Sequence, residues 1–196
     1  VTDHVGAGNL EWVVKALIND CAVATKRWDI LALPGVEITH VPKEDIDLIA
    51  RTAKQLGVKL VTVHGETIVE PVEPGTNEAA VRSSSVDILA HPGLVTYEVA
   101  RLAAENEVYL EVSAREGHSL TNGHVVSMAL KAEARMLLDS DAHGPEDLLT
   151  PEIAQKIATG SGLSAEDTYT LLERNPQTLL ARLGVGPTAA DPEAAT

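Results

Sequence analysis

Short apolar runs recur along the chain, and each closes on a residue able to bind a metal ion. One run ends at His4 in V-T-D-H, ILALPGVEIT holds Glu37, and VKLVTVHGE leads to His64. VDILAHPG holds His91, VYLEVS holds Glu111, and ARMLLDSDAH runs into Asp141 and His143. The runs are rich in Val, Ile and Leu and continuous rather than alternating, as strands are when a parallel sheet buries both faces. Between them apolar residues recur at helical spacing. Leu10, Val13, Val14, Leu17, Ile18 and Cys21 predict a helix over 9–26 with Asn9 as its cap. Pro42 opens a helix whose inner face is Ile46, Ile49, Ala50, Ala53 and Leu56, and Gly57 stops it in a left-handed cap.

A strand over 58–63 follows, then a Pro, Gly and Ser-rich segment with one short helix at 77–82. The pattern next predicts a helix over 94–105, a strand over 109–112, a helix over 125–134 and a strand over 136–138. Helices over 151–159, 164–174 and 176–183 complete one domain, residues 1–184. Residues 185–196 have almost nothing to bury and are predicted to form a disordered tail. Strand and helix thus alternate, so the strands should lie parallel, with the side chains at their C-terminal ends converging on one rim.

Composition narrows the function. The chain has 196 residues, no Phe, and 15 Lys plus Arg against 29 Asp plus Glu, for a formal charge of −14. Such a surface repels a phosphate backbone, so nucleic acid is not an expected partner. Cations clustered in one pocket would invert the field locally, which leaves a small phosphorylated substrate admissible. The single cysteine, Cys21, excludes an internal disulfide and fits a buried, inert thiol. No segment approaches the roughly 20 apolar residues that span a bilayer, so a soluble, cytoplasmic protein is expected.

Imidazoles and carboxylates gathered on one rim are a metal site in the making. His91 stands at the end of an aliphatic strand, held by Pro92 and Gly93, and His64 stands similarly before Gly65. Glu37 lies inside an aliphatic strand, where a carboxylate is costly unless paired or metal-bound, and its two oxygens suit a bridge between cations. Asp141 and His143 are two apart and face the same way in extended backbone. The alternative for that pair is a turn with a capping Asp. His4 is placed like the others, with Asp3 able to orient it. Glu111 fits equally a layer behind the ligands or a structural strand acid, and Glu66 a layer behind the ligands or solvent. His40 and His124 are expected to be exposed. The loop S-A-R-E-G-H-S-L-T-N-G offers Arg115 and His118 as catalytic groups that hold a phosphate or protonate a leaving oxygen. A polar turn in which Asn122-Gly123 caps the next helix accounts for it equally. Mixed nitrogen and oxygen donors favour zinc, manganese or iron over magnesium or calcium.

At T-D-H, P-G-V-E-I-T, H-G-E, D-I-L-A-H-P-G and D-S-D-A-H the chain resembles the PHP (polymerase and histidinol phosphatase) family, and more narrowly its small stand-alone histidinol-phosphatase-like members. The resemblance implies an α/β fold, a distorted TIM-like (β/α)7 barrel, with two or three divalent metal ions at its C-terminal rim. It implies that Glu37 bridges two metals, that His64 and His91 complete one site, that Asp141 serves the other bridged metal, and that His4 and His143 share the third. Family members open with an H-x-H pair on the first strand, which V-T-D-H lacks. A β/α barrel needs about 200–250 residues, so a first βα unit of about 30 residues is expected to be missing, or the sheet to be open on that edge. The expected function is hydrolysis of a small, histidinol-phosphate-like phosphomonoester by metal-activated hydroxide. A nuclease or nucleotide phosphatase using the same metals, and a non-catalytic metal-binding scaffold, are the alternatives.

Overall fold

Among the described residues six strands form one sheet, β1 (His4–Val5), β2 (Gly35–Ile38), β3 (Leu60–His64), β4 (Ile88–Ala90), β5 (Tyr109–Ser113) and β6 (Met136–Asp139). This is a computed structural model that describes residues 1–185; apart from Val185, the predicted tail lies outside that range. The strands are all parallel and lie side by side in chain order. Among the described residues eight α-helices accompany them: α1 (Leu10–Arg27), α2 (Ile46–Leu56), α3 (Thr76–Arg82), α4 (Tyr97–Glu105), α5 (Asn122–Ala132), α6 (Pro151–Gly160), α7 (Ala165–Tyr169) and α8 (Asn175–Arg182).

Because side chains alternate along a strand, the sheet sorts its residues into two faces. Val36, Ile38, Val61, Val63, Leu89, Leu110, Val112 and Met136 form one core with Val13, Val14, Ile46, Ile49, Ala53, Ala100, Ala103 and Ala129 of the helices. Ile88, Tyr109 and Leu137 belong to the other face and pack with Leu179 of α8 and with Leu60 and Leu183. Farther along these strands, the second face carries polar groups. The register sets His4 beside Glu37 and Glu37 beside Thr62, with His64 beside Ala90 and Glu111 beside Leu137.

β1 and β6 are the two edges of the sheet. Laid flat, five strand spacings would separate them by about 24 Å. Yet the rings of His4 and of His143, just past β6, lie 5.8 Å apart. The sheet therefore curls around its polar face, and among the described residues no β6–β1 pairing closes it.

Several element boundaries differ from the sequence expectation for local reasons. Asn9 precedes α1 but does not cap it; its side chain turns back, accepting from the Gly6 amide (2.7 Å) and donating to the His4 carbonyl (3.0 Å). Gly57 does end α2 in the left-handed conformation, with φ of 107°. The helix predicted from 94 starts at Tyr97, because the Thr96 hydroxyl caps it by accepting from the Val99 amide. The two helices predicted over 164–174 and 176–183 are continuous, joined through a π-helical turn at Thr170–Arg174.

Candidate metal centre

Two glycines interlock the loops after β3 and β4. A Cβ on Gly65 would lie 2.3 Å from the Ala90 carbonyl oxygen, and one on Gly93, at φ of 60°, 1.9 Å from that of Glu66. With nothing larger than hydrogen there, the His64 and His91 rings approach to 4.4 Å. Asn77 stitches the same loops by accepting from the Glu66 amide (2.9 Å) and donating to the Pro92 carbonyl (2.8 Å). Glu66 is partly buried at the same loops. Its carboxylate accepts from the Gly75 and Asn77 amides at the start of α3. His91 and Asp141 both adopt positive φ, 28° and 46°, which costs non-glycine residues energy and is concentrated at functional sites.

Glu37, His64 and His91 lie together, buried, with one ligand atom of each within 4.8 Å of the others; His91, His118 and Asp141 form a second such set. Glu37 Oε1 and His91 Nε2 are 3.7 Å apart, and both are buried without a hydrogen-bond partner. Burial, reinforced by repulsion from Glu111, Asp141 and Asp139, pushes the Glu37 carboxyl up to about 9. Burial pushes Glu111 up to about 7, and burial followed by repulsion from Glu111 raises Asp139 well above the carboxylate range. The imidazoles move the other way. Burial and then His91 bring His64 down to about 4, and burial lowers His91 and His118. The rings are thus neutral near pH 7, the form that ligates metals.

His64 faces two acceptors, the Gly65 carbonyl at Nδ1 (3.1 Å) and the Glu70 carboxylate at Nε2 (2.9 Å). A neutral imidazole has one N–H, so one contact sets lone pair against lone pair unless a cation or proton lies between. Clustered carboxyl groups, neutral imidazoles and two unpartnered buried atoms facing each other are a donor set that fits divalent cations. No thiolate takes part, since Cys21 is buried in α1.

The remaining expected residues surround this core. His4 is half-exposed, with Nε2 3.6 Å from Glu37 Oε2. Asp3 accepts from the His4 backbone amide, not its ring. His143 is half-exposed; its Nδ1 lies 3.6 Å from Asp141 Oδ1 and accepts from the Arg115 guanidinium at 2.7 Å. Arg115 also donates to the Asp141 carbonyl (3.1 Å). His118 is buried, with Nε2 3.7 Å from Asp141 Oδ2 and Nδ1 2.7 Å from the Thr67 hydroxyl. Glu111 lies behind His91, 3.1 Å from Nδ1. Asn122 turns inward and pairs with both the amide and the carbonyl of Ser113, while His40 is exposed and His124, partly buried, contacts the Val95 carbonyl.

Sequence reasoning missed Glu70 and Asp139. Glu70 lies in V-E-P-V-E-P, where nothing local distinguishes it from Glu73. Asp139 was legible in D-x-D-x-H, whose two-residue spacing aligns it with Asp141 and His143. His4, Glu37, His91, Asp141 and His143 line a cavity of about 640 Å³ that also reaches Leu60 and Ile88. A neighbouring cavity of about 570 Å³ is lined by Arg115 and His143 on one side and by Leu148, Leu149, Ile153 and Ile157 on the other.

Fold and site together define an α/β protein whose curled parallel sheet gathers a buried His, Glu and Asp cluster at one end. The chain belongs to the family of the uncharacterized protein MJ1295 of Methanocaldococcus jannaschii, with 40% identity over 184 residues that cover 93% of this chain and 84% of that one. It is also 32% identical over 169 residues to a probable phosphatase of Shewanella halifaxensis and over 173 residues to one of Shewanella frigidimarina, covering 77% of this chain and 66% of each relative. No family model matches the chain. Among solved structures it is similar to a prolidase complexed with N-methylphosphonate-L-proline (TM-score 0.53, 14% identity, 93% of this chain and 48% of that one). It is similar also to A. niger ochratoxinase (TM-score 0.55, 14% identity, 74% of this chain and 39% of that one). At these identities the likeness shows the fold alone. Among the described residues no helix is long and apolar enough to cross a membrane.

Proposed function

We propose that this chain is the catalytic domain of a metal-dependent phosphoesterase of the PHP type, its sheet part of a (β/α)7 barrel, acting on a small phosphomonoester in the cytoplasm. One observation carries the reading: Glu37 Oε1 and His91 Nε2, buried and without partners, face each other at 3.7 Å inside a set completed by His64. The relatives named probable phosphatase support the reaction class.

Glu37, His64 and His91 would hold one cation, and Asp141 with His118, His4 and His143 stands where further cations would be held. Zinc, manganese or iron suits these donors. Divalent cations there supply Lewis acidity toward a phosphoryl oxygen and make water a competent nucleophile near neutral pH. Arg115 binds a phosphate oxygen through its planar fork, anchored by the Asp141 carbonyl and His143. His118 stands at the same rim, where it orients the phosphate or carries a proton to the leaving oxygen. The apolar wall at Leu149, Ile153 and Ile157 receives the body of the substrate.

Elemental analysis of the purified chain, paired with hydrolysis assays on histidinol phosphate, sugar phosphates and mononucleotides, tests this. Bound divalent metal and turnover of a phosphomonoester are expected, both lost in Glu37→Ala and His91→Ala. Full activity in either variant would sink the reading. Preference for oligonucleotides would shift it to a nuclease, and metal without turnover of any phosphoester would shift it to a binding scaffold.

A further inference from the structure

Glu111 is fully buried beneath the candidate cation positions. Its Oε2 accepts from the His91 backbone amide at 2.7 Å and lies 3.1 Å from His91 Nδ1. We propose that Glu111 is a positioning residue that fixes which nitrogen of His91 can bind a cation, and thereby assigns His91 to Glu37 and His64. The consequence for metal binding rests on the function proposed above; the position of the proton does not.

An oxygen that already accepts a short bond from an amide presents its lone pairs to that side of the site. With Oε2 itself unprotonated, the ring nitrogen beside it is the donor, so Nδ1 carries the hydrogen. A neutral imidazole has only one N–H, and Nε2 is therefore left with a bare lone pair. That atom is buried without a partner and faces Glu37 Oε1 at 3.7 Å. Nδ1, in contrast, is the nitrogen 3.8 Å from Asp141 Oδ2; with its hydrogen held by Glu111, it cannot ligate on that side. His91 is common to both donor sets, and Glu111 decides between them.

The two sets are consequently unequal. Glu37, His64 and His91 keep three protein donors. His118 and Asp141 keep each other, with Glu70 Oε1 3.9 Å from His118 Nε2. The first cation therefore goes to the Glu37 set, and the second set binds more weakly, with more room for a substrate oxygen.

Long-range proton–nitrogen NMR on histidine-labelled, metal-free full chain reads the tautomer directly, with His91→Gln to assign the signal. Hydrogen on Nδ1 and a bare Nε2 are expected. Hydrogen on Nε2 in the wild type would overturn the proposal. Glu111→Ala should mix the tautomers and weaken binding of the first Zn²⁺ about 10–100-fold, the usual loss when a partner of a ligating histidine is removed. Glu111→Gln, which keeps an oxygen acceptor of the same reach, should recover most of the Nδ1–H form. A folded Glu111→Ala with unchanged tautomer and unchanged Zn²⁺ affinity refutes the assignment. If Glu111→Ala does not fold, the wild-type tautomer still decides. A wild type with the expected tautomer that binds no Zn²⁺ or Mn²⁺ removes the metal-dependent function and leaves the role of Glu111 standing.

Discussion

Glu37 concentrates the electrostatics of the site in one side chain. Burial and neighbouring carboxylates hold it protonated up to about 9, whereas the unfolded chain releases that proton in the ordinary carboxylate range. The sign follows from linkage: the contribution to stability is complete below the unfolded value and is lost as pH rises through about 9. Glu111, raised to about 7, acts in the same direction. The metal-free protein should therefore melt at a lower temperature at pH 8.5 than at pH 5.5, and a higher melting temperature at pH 8.5 would contradict this picture. A cation needs the carboxylate form, while His64, lowered to about 4, is already neutral. Zn²⁺ uptake at pH 7 should therefore release protons, seen as a binding enthalpy that varies with the ionisation enthalpy of the buffer. Arg115 allows a separate prediction. Its loss in Arg115→Ala should raise the KM for a phosphomonoester about 10–100-fold, the equivalent of about 1.5–3 kcal/mol for a charged hydrogen bond. Cation affinity should change little, since Arg115 lies at the edge of the donor set.

The loops after β3 and β4 behave as one structural unit. Gly93 combines a φ of 60° with a Glu66 oxygen where a Cβ would be, and a Cβ on Gly65 would meet the Ala90 oxygen at 2.3 Å. Gly93→Ala should lower stability by about 2–4 kcal/mol, combining left-handed strain with a backbone clash. Urea denaturation would read this, and cation affinity should fall in parallel because His64 and His91 lose their spacing. Helix 9–26 and the glycine stop at Gly57 were legible because periodicity and capping chemistry are local. The Asn9 cap was misjudged because two backbone groups near β1 compete for its amide, and they become neighbours only once the strand is in place. The break expected between 174 and 176 does not occur. A π-helical turn absorbs Pro176 in the first turn of α8, where a proline is tolerated.

The far end of the sheet is closed by a charge cluster that fastens α8 across it. Buried Asp87 accepts from Lys54 (2.5 Å), the Val61 amide (2.8 Å) and Arg182 (3.2 Å). Arg182 also lies over the Tyr109 ring, 5.2 Å from its centre. Removing the carboxylate in Asp87→Ala leaves a buried amide and two cations without their partner, and should destabilise the chain by about 2–4 kcal/mol. A loss below about 0.5 kcal/mol in a chemical melt would show that α8 is held by its apolar face, Leu179 and Leu183, alone. With a net charge of −14, the molecule also carries its acidic excess into the curled sheet, where Glu37, Glu111, Asp139 and Asp141 crowd together. Divalent cations bound there would relieve that crowding, so adding them should raise the melting temperature.

Strand–helix alternation, the parallel sheet and most members of the candidate donor cluster could be read along the chain, because apolar periodicity and the strand's two-residue repeat are properties of neighbours in sequence. The partners of those positions could not. Glu70 reaches His64 only through the path of a proline-rich loop, Asp139 meets Glu111 only across a strand pair, and His143 comes within 5.8 Å of His4 only because the sheet curls. The same holds for the hydrogen on His91, which depends on an oxygen that the register of β5 against β4 places beneath it. Residue type and spacing are local and stand in the sequence. Proximity between distant residues, and with it proton position and ligand choice, arises only when burial packs the chain against itself.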